Sequence, residues 1–454
     1  MERRVSDDEH VKSGRLRRMG RLAYLTARTT GDLLAAQARR KLSGPGSGDA
    51  EPDLRRAAER ILGTLGELKG AALKLGQALA MDPDALPPEA RSIVAKLLSQ
   101  APQRMPYETV AQVIREELGQ APEELFESFD REPIAAASLG QVHGARLKQA
   151  PPGLRLDGLG GDGRDVVVKV QYPGVDKALE ADLANASILV KGFALTGETL
   201  DGRPYYEELR ASLLGELDYR KEAQQARDYA HAARFYPELL VPQPIDALSG
   251  RRVLCLTRLR GPSLLDSIES QAAPEERYRI ARLLVFAIWG PFFTERLIHA
   301  DPHPGNFLVL PDGRLGVLDF GATKQLSAPF ANVYRAFLHA LANGAPRPEV
   351  GPALSSAGFR FIGDDVEEAY DFCDRLADIV EKPSLTDDYD FGSDAMVLAA
   401  RKLFQSEPRL ALSIKPPPEA LLFYRAAAGL AQDLRLLKVR GRFRPMLKEI
   451  EDRA

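Results

Sequence analysis

Two short stretches joined by a hairpin constrain this chain more than anything else in it. His299-Ala-Asp-Pro-His-Pro-Gly-Asn306 carries an aspartate, Asp301, separated by four residues from Asn306. Eighteen residues after Asp301, Asp319 opens an Asp-Phe-Gly triplet. Between them lies FLVLPDGRLGVLDFG, two apolar runs around Pro-Asp-Gly, which is the composition of a tight hairpin. Such a hairpin folds Asp319 back beside Asp301. The chain must then present two carboxylates and a carboxamide to one volume.

That set suits phosphoryl transfer, which needs a carboxylate near the attacking oxygen and oxygen ligands for the Mg²⁺ that neutralises a triphosphate. Mg²⁺ prefers carboxylate, amide and phosphate oxygens, so Asn306 and Asp319 are the candidate metal ligands and Asp301 the candidate catalytic carboxylate. The order H-x-D-x-x-x-x-N then DFG is that of a protein-kinase catalytic loop. His299, Asp301 and His303 also alternate, and on one strand face they would form a transition-metal site. Pro302 and Pro304 break regular strand pairing, and that reading leaves the hairpin unexplained. In the kinase-like reading His299 is a structural histidine that holds the loop, and His303 packs.

Kinase-type chemistry also asks for a lysine on a strand and an acidic partner from a helix. VVVKVQY (166–172) reads as a buried strand, and Lys169 is its only charged residue. Burying that lysine is costly unless it is paired; on an edge strand it would simply face solvent. ELDYRKEAQQA offers Glu216, Asp218 and Glu222 as partners, and Asp218 and Glu222 share a helix face at i, i+4. Position alone does not choose among them. AAASLGQVH (135–143), with Ala135, Ala136, Ala137 and Ser138, lies between two strand-like pieces and is the candidate phosphate-covering loop. Its alanines allow close approach but lack the φ > 0 freedom of glycine. Gly158-Leu-Gly-Gly-Asp-Gly163 matches G-x-G-x-x-G, yet it precedes a strand and lies six residues before Lys169. It reads as a flexible hairpin loop.

The remaining sequence fits an α+β protein with a bilobal, kinase-like fold and a helical N-terminal extension. At 454 residues the chain has room for two or three domains or one large bilobal one. Its formal net charge of -3 argues against a nucleic-acid partner. Two cysteines, Cys255 and Cys373, exclude a disulfide framework or a Cys-based zinc module and fit a reducing compartment. The longest strongly apolar stretch, Leu283 to Phe293, is far short of the ~20 residues of a membrane span, and no signal-peptide pattern stands out. A cytoplasmic protein is the expectation. Residues 1–41 carry eleven Lys or Arg against five Asp or Glu, and their helical spacing allows either a solvated helix or one lying on an anionic membrane. With a linker at 43–53, the organisation expected is 1–53 basic N-terminus, 54–125 helical extension, 126–260 N-lobe and 261–454 helical C-lobe. Within the extension YETVAQVIREEL reads as an amphipathic helix capped by Gly119, and a long helical run is expected from about 176 to 233.

These residues together resemble the UbiB/AarF family of atypical protein-kinase-like proteins over roughly residues 65–323. Lys74-Leu-Gly-Gln77 is similar to the family's K-x-G-Q signature, AAAS (135–138) to its alanine-rich loop, VKVQYPG to its lysine strand, and Glu216-Leu-Asp218 to its E-x-D motif. The resemblance implies ATP and Mg²⁺ bound at Lys169, Asn306 and Asp319, Asp301 in the catalytic-base position and Glu222 as partner of Lys169. It implies that Lys74 and Gln77 gate the site by contact with Glu216 and Asp218, and that the protein serves quinone or isoprenoid-lipid metabolism as a kinase or ATPase. Its partner would be a quinone, isoprenoid lipid or precursor, with peripheral membrane contact through the basic N-terminus. No A-P-E triplet follows the DFG, so the usual peptide-positioning segment has no visible counterpart. Two rivals stay open: a small-molecule phosphotransferase of the aminoglycoside or choline kinase type, and a pseudokinase scaffold that binds nucleotide without turnover.

Overall fold

The structure, a computed structural model, describes residues 104–137, 139–151, 162–180, 183, 203–270, 272–363 and 365–454. Lys74, Gln77, Ser138, the basic segment 1–41 and the linker 43–53 lie outside the described residues. The chain divides into two compact units, one of Met1–Gln103 with Gly174–Arg210 and one of Arg104–Pro173 with Ala211–Ala454. In the first, the Tyr206 hydroxyl donates to the Leu183 carbonyl at 2.6 Å. Apart from a helix, Arg203–Gly215, that begins in the first, the elements that follow belong to the second.

A five-stranded antiparallel sheet comes first. Its strands are β1 (Phe126–Phe129), β2 (Ala135–Ala137), β3 (Gly140–Leu147), β4 (Asp165–Gln171) and β6 (Val253–Thr257), in the order β1-β3-β4-β6 with β2 on β3. The two-residue period of β4 divides its side chains cleanly. Val166, Val168 and Val170 are buried against helix α1 (Tyr107–Leu118) through Val110, Val113 and Ile114, with Val253 and Cys255 beside them. Those helix positions lie at i, i+3 and i+4, so they form one apolar stripe. Gly119 ends the helix in the left-handed region at φ 78° and returns its N–H to the Arg115 carbonyl. Thus α1, within the 54–125 segment, supplies part of the core of the sheet.

The other face of β4 carries Val167 and Lys169 toward helix α2 (Tyr219–Ala232), and Gln171 toward the Leu217 carbonyl just before it. The helical run expected across 176–233 is interrupted here. One helix ends at Gly215, and α2 starts only after Glu216-Leu217-Asp218. Asp218 explains the restart: its carboxylate accepts from the Arg220 N–H at 3.1 Å and caps α2. Ala135–Ala137 is also a strand, not an open loop, with Ala137 opposite Gly140. Gly140 in turn lets this end of β3 lie close on β4, since a Cβ there would sit 2.1 Å from the Val170 carbonyl oxygen. β3 and β4 pair up to Arg146 opposite Asp165; of the Gly158–Gly163 run, residues 158–161 lie outside the described residues.

The helical part is built on α3 (Pro274–Glu295), whose segment from Ile280 to Phe292 is buried almost all round. A helix apolar on every side belongs in the middle of a core. It is surrounded by α4 (Ala328–Asn343), α5 (Pro418–Leu436) and α6 (Arg444–Arg453), and Gly290 leaves room for the Tyr236 ring. Short strands then carry the motif residues. β7 (Leu297–His299) pairs with β10 (Thr323–Gln325), while β8 (Phe307–Val309) and β9 (Leu315–Val317) form the expected hairpin, with β5 (Leu239–Leu240) parallel to β9. Among the described residues no helix is long and apolar enough to cross a membrane.

Candidate active site

Lys169 leaves the sheet beneath α2, where the Glu222 carboxylate meets its ammonium at 2.8 and 3.0 Å. Of the three acidic residues open to it, Glu222 is the one whose carboxylate reaches it; Asp218 is taken up by the helix cap and by the Arg220 guanidinium at 2.8 and 2.9 Å. Asp319 adds a second carboxylate, with Oδ2 3.4 Å from the same nitrogen. Burial works against the charge on Lys169, but Asp319 and Glu222 outweigh it and hold the ammonium well above the usual lysine range. Burial pushes Glu222 up to about 6 against the pull of Lys169. At neutral pH the pair is therefore ionic. The Lys169 ammonium also lies 5.1 Å over the Tyr219 ring, and burial pushes that phenol far up.

Asp319 has a left-handed backbone, φ 55°, which aspartate tolerates better than most side chains. The Gly321 N–H donates to its Oδ1 at 3.3 Å. His299 Nε2 donates to its carbonyl oxygen at 2.9 Å, and the ring packs among Tyr229, Phe307 and Phe320. His299 thus fixes the Asp-Phe-Gly turn from the strand before it. Phe320 is buried against Tyr229 of α2, with ring centroids 5.2 Å apart, and Gln225 of α2 donates to the Thr323 carbonyl at 3.0 Å. The helix that presents Glu222 is therefore packed and hydrogen-bonded to the turn that presents Asp319. Glu216, the first residue of the E-x-D motif, is buried beside Gly321.

The metal reading of His299, Asp301 and His303 fails. His299 is committed to the Asp319 carbonyl, and among the described residues no group of three His, Cys, Asp or Glu is placed to hold a metal ion. Nor does His303 pack: it is exposed, and its Nδ1 accepts from the Gly305 N–H at 3.0 Å to cap the turn before Asn306. Asn306 Nδ2 donates to the Asp301 carbonyl at 2.9 Å, which leaves its side-chain oxygen as the acceptor end. The Leu318 N–H donates to the Asn306 carbonyl at 2.8 Å and ties this loop to the residue before Asp319. One site residue had no signal in the sequence. Arg425, on α5, forms an ion pair with the Asp301 carboxylate across 124 positions.

With this geometry in place, comparison with known proteins decides the family. Residues 96–347, more than half of the chain, match the ABC1 atypical kinase-like domain. The chain belongs to the ABC1 atypical kinase-like family. It is similar to an uncharacterized aarF domain-containing protein kinase, chloroplastic, of Arabidopsis thaliana, 34% identical over 278 residues, 60% of this chain and 49% of that protein. The atypical kinase COQ8B, mitochondrial, of Danio rerio is 28% identical over 397 residues, 87% of this chain and 60% of that protein. The chain spans about half the length of the curated relatives it matches. Among solved structures, the Rv3197–erythromycin complex of Mycobacterium tuberculosis superposes with a TM-score of 0.59 at 28% identity, covering 89% of this chain and 98% of that one. The kinase-like fold expected from the motifs is the fold observed.

Proposed function

We propose that this ABC1-family chain is a Mg-ATP-dependent atypical kinase or ATPase whose acceptor is a small or lipid-linked molecule. The observation that carries the reading is the buried Lys169–Glu222 pair, with Asp319 on the same ammonium. The donor set fits the nucleotide and its metal: a fixed ammonium for phosphate oxygens, with the Asn306 amide oxygen and the Asp319 carboxylate as hard ligands. Bound Mg-ATP would supply the transferable phosphoryl group and a cation to neutralise it.

The residues of the chain do the rest. Glu222 holds Lys169 in one place, so no reorganisation is needed when phosphate arrives. Asn306 and Asp319 hold the metal. Asp301 orients the attacking oxygen of an acceptor or of water. Ala135–Ala137, paired as a strand, cover the phosphates together with Ser138, and the pairing makes a stiffer cover than a glycine-rich loop. Gating by Lys74 and Gln77 through Glu216 and Asp218 is part of the proposal. So are service to quinone or isoprenoid-lipid metabolism and peripheral membrane contact through residues 1–41. Membership of the ABC1 family supports this over a phosphotransferase of the aminoglycoside or choline type.

One observation favours a second reading. The Asp301 carboxylate is already engaged by Arg425, as it could be in a scaffold that binds nucleotide without turnover. Phosphate release from Mg-ATP, with Asp319→Asn beside it and anionic vesicles added or omitted, separates the two. Release that is lost in the variant supports the enzyme. A Mg-ATP thermal shift without release supports the scaffold, and neither would overturn the site.

A further inference from the structure

The Asp301–Arg425 pair joins the catalytic loop to a helix outside the stretch that the family match covers, which ends at residue 347. Both side chains are largely buried, 18% exposed for Asp301 and 20% for Arg425. Only Oδ1 of Asp301 is taken; among the described residues no hydrogen bond reaches Oδ2. Arg425 Nε is buried and has no hydrogen-bond partner among the described residues, so Arg425 does not bind the carboxylate as a two-pronged fork. The contact is end-on and fixes one oxygen.

The backbone of the loop is secured separately. The Asp301 carbonyl accepts from the His303 N–H at 2.7 Å and from Asn306 Nδ2 at 2.9 Å. These bonds place the loop but leave the Asp301 side chain free to rotate about its own χ angles. Arg425 supplies the missing constraint. It also has its own footing, because Phe423 and Ala426 on the same helix are buried in the core.

We infer that Arg425 is a positioning residue for Asp301. It occupies Oδ1 so that Oδ2 faces the attacking hydroxyl or water in a single orientation. The inference rests on the proposed reading of Asp301 as the carboxylate at the attacking oxygen. On this account α5 is part of the catalytic apparatus.

The test compares the full chain with Arg425→Gln, Arg425→Lys, Asp301→Ala and the double variant Asp301→Ala/Arg425→Gln. Two readouts are used: phosphate release from Mg-ATP, and the carbon-13 NMR shift of the Asp301 carboxyl, assigned by its loss in Asp301→Ala. Arg425→Gln is expected to lower kcat about 10- to 100-fold, with KM for ATP within about twofold and the Mg-ATP thermal shift retained, as for loss of a group acting through another. Arg425→Lys should recover part of the loss, and the double variant should match Asp301→Ala alone. Additive losses in the double variant would overturn the inference. So would an unchanged Asp301 carboxyl shift in Arg425→Gln, which can be read even if the wild type releases no phosphate. A wild type without release or thermal shift is a separate failure, that of the nucleotide site itself.

Discussion

Lys169 and Glu222 come from a strand and a helix 53 residues apart and meet in a buried pair at 2.8 and 3.0 Å. Breaking such a pair from one side leaves the other charge stranded, at a cost of about 3–5 kcal/mol. The two sides are not equivalent here, because Asp319 also faces Lys169. Lys169→Met leaves two carboxylates near each other, whereas Glu222→Gln leaves Lys169 with Asp319. Denaturant unfolding at pH 8 should therefore show the larger loss for Lys169→Met. Equal losses would mean that Asp319 contributes nothing to holding the lysine.

The same pair sets a pH dependence. Burial raises Glu222 from an ordinary 4.5 to about 6, so the folded protein holds this proton more tightly than the unfolded chain does. Its contribution to stability is fully present below 4.5 and is lost as pH rises through about 6. Nucleotide binding should move the other way, increasing over that window as Glu222 ionises and fixes Lys169. Stability and Mg-ATP affinity measured from pH 4.5 to 7, for the wild type and Glu222→Gln, check both signs. The variant should flatten each profile.

Asp218 caps α2, the helix that carries Glu222. Asp218→Ala should cost ~1 kcal/mol, while Asp218→Asn, also a good cap, should cost a few tenths. Denaturant titration distinguishes them. If Asn is as damaging as Ala, the charge of Asp218 matters beyond the cap, through Arg220 or through the gating proposed for the E-x-D motif.

Gly140 lets the alanine hairpin lie against β4. A Cβ there would meet the Val170 carbonyl oxygen at 2.1 Å, and backbone cannot move aside cheaply. Gly140→Ala should lower stability on the order of 1–3 kcal/mol, the usual range for overpacking. It should also weaken Mg-ATP binding by displacing the cover. Thermal unfolding with and without nucleotide reads both effects.

Much of this was legible because it is local. Helical spacing and Gly119 mark α1; a β-branched run around one charge marks β4; Pro-Asp-Gly between apolar runs marks the β8–β9 hairpin. The choice of Glu222 over Glu216 and Asp218 was legible only through the family resemblance and not from position, because it depends on where α2 begins, and that depends on Asp218 capping it. Nor did alternation of His299, Asp301 and His303 reveal that His299 turns to the Asp319 carbonyl instead. Arg425 is the extreme case. No periodicity or spacing links it to Asp301, because the ion pair exists only once α5 has packed in the core.

Mg²⁺-dependent ATP binding by Asp319→Asn, followed by titration calorimetry, tests the central claim most directly. Asparagine is nearly the same size as aspartate and also tolerates the left-handed backbone at φ 55°, so the variant should fold. The account predicts that the wild type binds ATP far more tightly with Mg²⁺ than without it, and that the variant loses this dependence. Equal, Mg²⁺-dependent affinity in the two proteins would contradict it.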